Sequence, residues 1–192
     1  MPLHRLIPLL NGILLRLAPA QVAPTYHDTI ALRYQLPGAD CALFPAAARF
    51  PDWRPEKKLS LTRRFTPTAP QVAATEKALA AVPLLHINPG PKNSQDSTYA
   101  RAITQRLEQY HRQYFGFYNR HKQPCVFINF LGDYPFTPEE AGLRPKPAAY
   151  VPFWLSRYAF LADGGSDHWS VYYNLATGKF YQYWHNLDVG GG

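Results

Sequence analysis

Apolar positions along this chain recur with two different periods, and the change from one to the other marks out its elements. From Thr68 the spacing is helical. Val72, Leu79 and Val82 return to one side with Glu76 among them, Thr68 is a fair N-cap, Pro70 sits in the first turn, and Pro83 ends the run. A second, stronger helix is capped by Ser97 and lines Tyr99, Ile103, Leu107, Tyr110 and Tyr114 along one face, with Arg101, Gln105, Arg106, Glu108 and Gln109 on the other. The period then drops to two. Residues 113–118 place aromatics on both sides of Gly116, as in a strand with a bend, residues 119–124 turn the chain, and residues 125–131 return. The returning strand is apolar on both faces, which predicts a central strand covered on each side.

Residues 153–162 predict a third strand of this set, and residues 168–174 and 179–185 a closing hairpin whose turn offers Gly178 for the left-handed position. The 132–152 stretch before them is long and punctuated by proline. Its Thr137-Pro138-Glu139-Glu140 has the pattern of a helix start, and loops of this length usually cover or bind something. Upstream of residue 68 the signals are weaker, because Pro24, Pro37-Gly38, Pro45, Pro51, Pro55 and Pro67 interrupt any long element. Short strands are predicted at 32–36 and 59–65. Residues 1–93 hold 13 of the 19 prolines, so the fold is expected mainly in the second half.

The order of elements predicts an α+β domain, a helix packed on an antiparallel β-meander of about 4–5 strands. In element order alone it resembles the half-wrapped sheet of cystatin-like or nuclear-transport-factor-like folds, which carries no activity with it. The expected organisation is a signal peptide at 1–20, an irregular proline-rich segment at 21–67, the α+β domain at 68–187 and a glycine-rich tail at 188–192.

With 192 residues, 46% hydrophobic and 15% aromatic, the chain has enough apolar content for one real core. The net charge of +7 invites a nucleic-acid reading. The basic residues are scattered singly or in pairs such as Lys57-Lys58 and Arg63-Arg64, however, with no run or helical stripe, so nucleic acid is not an expected partner. A solvated basic surface remains, with attraction to an anionic envelope surface or a polyanionic glycan as its further consequence.

The N-terminus has the parts of an export signal. His4 and Arg5 form a short positive region, residues 6–15 an apolar one, and Ala18-Pro19-Ala20 a small-x-small cleavage site, although Asn11 and Arg16 interrupt the pattern. The stretch is too short to span a bilayer, so no transmembrane span is expected after cleavage. The location that follows is periplasmic or secreted; the alternative is a cytoplasmic protein with an amphipathic first helix, for which Pro8 and Gly12 are poor residues. Cys41 and Cys125 are the two cysteines, and spacing alone does not say whether they pair. Without CxxC or CxxH, they do not suggest a structural zinc site, and no cofactor is expected.

The runs at 110–118 and 126–130, then Ala162-Asp163-Gly164-Gly165, then 171–175 with Lys179-Phe180, resemble small uncharacterised exported proteins and lipoproteins of Bacteroidetes-type bacteria. The resemblance covers about residues 97–185. It implies envelope location and a compact fold, and it brings no activity or catalytic residue. His185-Asn186-Leu187-Asp188 departs from the Asn-Gly close usual in those proteins.

Candidate chemistry gathers around the closing hairpin. Asp163, Asp167, His168 and His185 are the types needed for general acid and base work or, with two histidines, for a transition metal. Asp163-Gly164-Gly165 is equally what a tight strand-to-strand corner requires. Strand alternation puts Trp169, Val171, Tyr173 and Leu175 on one face, expected as core together with Trp184. The other face carries Tyr172, Tyr181 and Tyr183 among short polar groups, suited to a glycan, a peptide or an envelope protein. The chain lacks GxSxG and phosphate-loop motifs. The expectation is a non-enzymatic binding or structural role in the cell envelope; the alternative is a small hydrolase or metal-dependent enzyme built on Asp163, Asp167, His168 and His185.

Overall fold

The computed structural model describes residues 30–49, 63–87, 94–161 and 164–185. The expected signal peptide, Asp163 and the glycine-rich tail lie outside these, as do residues 50–62 of the proline-rich segment. The described chain is α+β. Its strands are β1 (Leu32–Leu36), β2 (Ala39–Phe44), β3 (Arg64–Phe65), β4 (His111–Tyr118), β5 (Pro124–Leu131), β6 (His168–Asn174) and β7 (Lys179–His185); its helices are α1 (Ala69–Leu79), α2 (Ser94–Gln105) and the single turn α3 (Phe153–Ser156).

One seven-stranded sheet runs in the order β1-β2-β4-β5-β6-β7, and β3 pairs β4 from the side on which β2 ends. The expected count of 4–5 strands is therefore too low. The sheet is also mixed rather than a plain meander, because β2 runs parallel to β4 while the other pairs are antiparallel. The strand that breaks the expectation is β2, Ala-Asp-Cys-Ala-Leu-Phe, which lacks β-branched residues and stands between Pro37-Gly38 and Pro45. Tertiary pairing with β1 and β4 overrides its poor local propensity. The N-terminal part thus belongs to the sheet: β1 falls at the expected 32–36, and of the strand expected at 59–65 the described residues are 63–65, of which Arg64–Phe65 form β3.

Residues 153–161, the described part of the strand expected at 153–162, are not a strand. They form α3 and an irregular run across one face, since β5 already has β4 and β6 as neighbours and offers no free edge. The second helix also stops earlier than its periodicity suggests, at Gln105. A 3₁₀ turn at Leu107–Gln109 follows, and Tyr110 leads straight into β4. The first helix keeps its expected start, with Thr68 and Gln71 capping each other's backbone in a capping box.

Both faces of the sheet are covered. Cys41, Leu43, Tyr114, Val126, Ile128, Phe130, Trp169 and Val171 pack under α1 and α2 through Val72, Leu79 and Ile103. Ala42, Phe44, Phe115, Phe117, Phe127 and Leu131 pack on the opposite side beneath Trp154, Leu155, Tyr158 and Ala159. Cys41 and Cys125 are buried, free and on opposite faces, so the sheet itself keeps them apart. Gly116 lets β3 approach β4, because a Cβ there would stand 2.5 Å from the Phe65 carbonyl oxygen.

Each layer is fastened to the sheet by one buried polar group on β4. On the helix side the Arg112 guanidinium donates to the carbonyls of Tyr110 (2.6 Å), Leu107 (2.8 Å) and Gly38 (3.1 Å), and its Nε forms an ion pair with Glu76 of α1 at 3.0 Å. Tyr114 donates its hydroxyl to the same carboxylate at 2.5 Å. On the other side Gln113 donates to the carbonyls of Trp154 and Arg157, both at 2.7 Å, and accepts from Asn129 (2.9 Å) and from the Ala159 amide (3.0 Å). Asn129 donates in turn to the Ala159 carbonyl at 2.8 Å. The cover segment thus makes through two amide side chains the backbone bonds that a strand would make through a ladder.

Gln113→Leu keeps the size but leaves these cover-segment backbone groups without their partner; a loss of about 2–4 kcal/mol in urea unfolding is expected, with earlier proteolysis within 153–161. Arg112→Met should cost about 3–5 kcal/mol at neutral pH, since it strands a buried carboxylate. Burial already raises the Glu76 pKa, and Arg112 opposes that rise. Without Arg112 the pKa climbs further, so the folded form gains most below the unfolded carboxyl value of about 4.3 and loses that gain as pH rises. The deficit of Arg112→Met measured at pH 5 should accordingly be smaller than at pH 7.

Candidate functional site

A hollow walled by several aromatic rings lies where the start of β4 meets the 132–152 loop. It is a cavity of about 530 Å³ whose walls include Arg33, His111, Asp133, Tyr134, Phe136, Glu140, Lys146, Tyr150 and Trp154. Its floor comes from the sheet. Asp40 on β2 sits in register with His111 on β4, and Arg33 on β1 reaches across to hold the Asp40 carboxylate with both ends of its fork, at 2.9 and 2.6 Å. His111 Nδ1 lies 3.6 Å from the same carboxylate, beyond hydrogen-bond length. Its ring stacks on Trp154 at 4.2 Å and 14°, and the Arg33 guanidinium stands 5.8 Å from the Trp154 ring centre.

The rim comes from the loop, which closes on itself. Glu140 accepts the backbone amides of Phe136 and Phe153, each at 2.8 Å, and Thr137 accepts the Glu140 amide at 3.2 Å while contacting the Tyr150 hydroxyl at 3.0 Å. Phe136 stacks on Phe153 and receives the edge of Tyr134. The loop lays rings over the sheet edge, as its length suggested for a cover, and leaves Tyr134 exposed at the mouth.

Burial lowers the His111 pKa, Asp40 opposes that, and Arg33 reinforces it. At neutral pH the imidazole is therefore uncharged and able to accept a proton or a hydrogen bond. Lys146 and Asp133 add one charge of each sign at the rim. The arrangement suits a ligand with a flat apolar face and several hydroxyl or amide groups.

The residues expected around the closing hairpin do not converge. Asp167 is exposed and pairs with Arg106 at 3.0 Å, which also donates to Ser166. His168 is fully buried on the cover side, its Nε2 2.8 Å from the Asn129 carbonyl oxygen; since the Asn129 amide nitrogen is already donating twice, the imidazole is the donor. His185 points to the helix side, its ring 4.7 Å from that of Tyr99. The two histidines face apart across the sheet and cannot share a metal with Asp167. Among the described residues no group of three or more His, Cys, Asp and Glu gathers in one place.

The expected tyrosine face is divided as well. Tyr172 and Tyr181 lie together on the cover side with ring centres 5.4 Å apart, half-buried beside Phe117 and Phe127. Tyr183 is buried on the helix side against Trp169. The cause is a bulge in which Gln182 takes a φ of +53° and two β7 residues oppose Val171, so the alternation slips by one. The same slip turns Trp184 outward, to 43% exposure, where core was expected. Asp40, His111 and Trp154 were hidden from sequence reading, because His111 stood inside an apparent helix and Asp40 inside an apparent loop.

Comparison with protein-family models, curated proteins and solved structures finds no match for the chain. His111 should titrate below the ordinary imidazole value of about 6.5 when followed by NMR. Asp40→Asn removes the carboxylate that supports the imidazolium and should move the midpoint lower still.

Proposed function

We propose that this chain is an exported binding domain of the cell envelope, periplasmic or secreted, that holds a glycan in the cavity between β4 and the 132–152 loop. The observation that carries the reading is the cavity itself: about 530 Å³, within the range of small-ligand sites, and walled by aromatic rings with Arg33, Asp133 and Lys146 among them. Sugar rings present an apolar face and a hydroxyl edge, and stacked aromatics flanked by polar groups of both signs complement both. Export rests on the N-terminal pattern and on the resemblance of residues 97–185 to exported proteins.

The proposal moves binding away from Tyr172, Tyr181 and Tyr183, whose rings are largely occupied with neighbours. It also leaves the hydrolytic or metal-dependent alternative without an assembled set of residues among Asp167, His168 and His185. Oligosaccharide and peptide arrays, followed by calorimetry on the best hit, test the assignment. Tyr134 lies exposed at the mouth, so Tyr134→Ala should weaken a bound oligosaccharide about tenfold without changing the melting temperature. Unchanged affinity would remove the cavity from the binding site, and exclusive retention of peptides would replace glycan by peptide.

A further inference from the structure

At the opposite end of β4 the β4–β5 hairpin tip carries a second hollow, of about 570 Å³, bordered by Arg63, Tyr118, Asn119, Arg120 and Lys122. The tip is held in one shape. Asn119 Oδ1 accepts the amides of His121 (2.9 Å) and Gln123 (3.0 Å), and the Gln123 side chain accepts from Asn119 (3.0 Å) and from Asn174 of β6 (2.9 Å). Lys122 is kept at a φ of +59°, a left-handed conformation that costs a non-glycine residue about 1–2 kcal/mol. Arg63 is fixed from the other side, where its carbonyl accepts the Tyr118 amide at 2.9 Å and its guanidinium lies 5.1 Å from the Tyr118 ring centre.

The charges in the described wall of this hollow are all of one sign. Arg33, Arg106 and Arg112 each pair with a carboxylate. Arg63, Arg120 and Lys122 pair with no carboxylate among the described residues, and no described residue in the wall of the hollow is acidic. Three like charges border one concavity, and their mutual repulsion falls when an anion lies between them. Arg120 Nε donates to His121 Nε2 at 3.1 Å and leaves its two terminal nitrogens; these, the Arg63 guanidinium and the Lys122 ammonium are the donors that phosphate oxygens take, and the hollow is several times the size of that group alone. We propose that the hairpin tip is a binding site for an organic phosphate, with the phosphate between Arg63, Arg120 and Lys122 and the remainder of the ligand along Tyr118. The site is independent of the cavity at the other end of β4.

Calorimetry at low salt with glucose 6-phosphate, inorganic phosphate and glucose tests this directly. Saturable binding of glucose 6-phosphate, weaker binding of inorganic phosphate and none of glucose are expected. Arg120→Gln/Lys122→Gln should weaken the sugar phosphate by about tenfold or more for each of the two charges removed. A control with the same charge change elsewhere, Lys77→Gln/Arg101→Gln, should bind like wild type. A second arm uses vesicles of phosphatidylglycerol and of phosphatidylcholine. Retention on the former alone, abolished in the tip variant, would identify the phosphate as a lipid headgroup. Equal weakening in the tip and control variants would overturn the proposal, since binding would then follow net charge. Failure of both the sugar phosphate and the anionic vesicles to bind would overturn it as well.

Discussion

A guanidinium sealed away from water governs the helical side of this protein. Arg112 is 1% exposed, and a charge at that depth is tolerable only when its donors and its charge are met. The carbonyls that accept from it belong to the β1–β2 turn, to the 3₁₀ segment after α2 and to Tyr110 just before β4, while the charge is met by α1. Four parts of the chain are thereby brought to one point. The helix that periodicity would carry through Tyr114 ends instead near Gln105, since the Leu107 and Tyr110 carbonyls must turn toward the guanidinium and β4 must be extended to pair on both edges.

The next residue along β4 repeats the device for the opposite layer with a neutral group. Gln113, aided by Asn129, gathers backbone carbonyls and one amide of the cover segment. That fixes α3 and sets Trp154 against His111, so the floor and the wall of the proposed glycan cavity depend on a hydrogen-bonded amide pair buried beneath them. Neighbouring side chains on one strand point to opposite faces, which is why Arg112 and Gln113 hold opposite layers. Structure and proposed function meet at β4: one end frames the cavity, the middle anchors both layers, and the far end runs into the basic tip.

Periodicity made much of this legible. The first helix with its Thr68 cap, the 113–131 hairpin, the two-sided burial of β5 and the core side of β6 all follow from spacing, because each is decided by near neighbours in the chain. The 132–152 loop was recognisable as a cover from its length. What was not legible is equally specific. β2 has the composition of a loop and becomes a strand because two partners demand it. Residues 153–161 have the composition of a strand and are not one, because β5, the strand they would follow, is already paired on both sides by β4 and β6. Gln182 carries no local mark of a bulge, yet it sends Tyr183 and His185 to the side opposite Tyr181 and Trp184, dissolving both the expected tyrosine face and the expected histidine pair.

The sequence by itself determined the α+β class, the positions of most elements and a basic, aromatic-rich composition, since these depend on short-range periodicity and on counts. Only the tertiary structure decided which side chains share a space. Asp40 meets His111 across 71 positions of sequence because a parallel pairing sets the register. Arg63 meets Arg120 and Lys122 because β3 lies beside the end of β4. Register and bulges answer to burial and hydrogen bonding summed over distant segments, and a change of a single residue in either moves a side chain to the other face of the sheet.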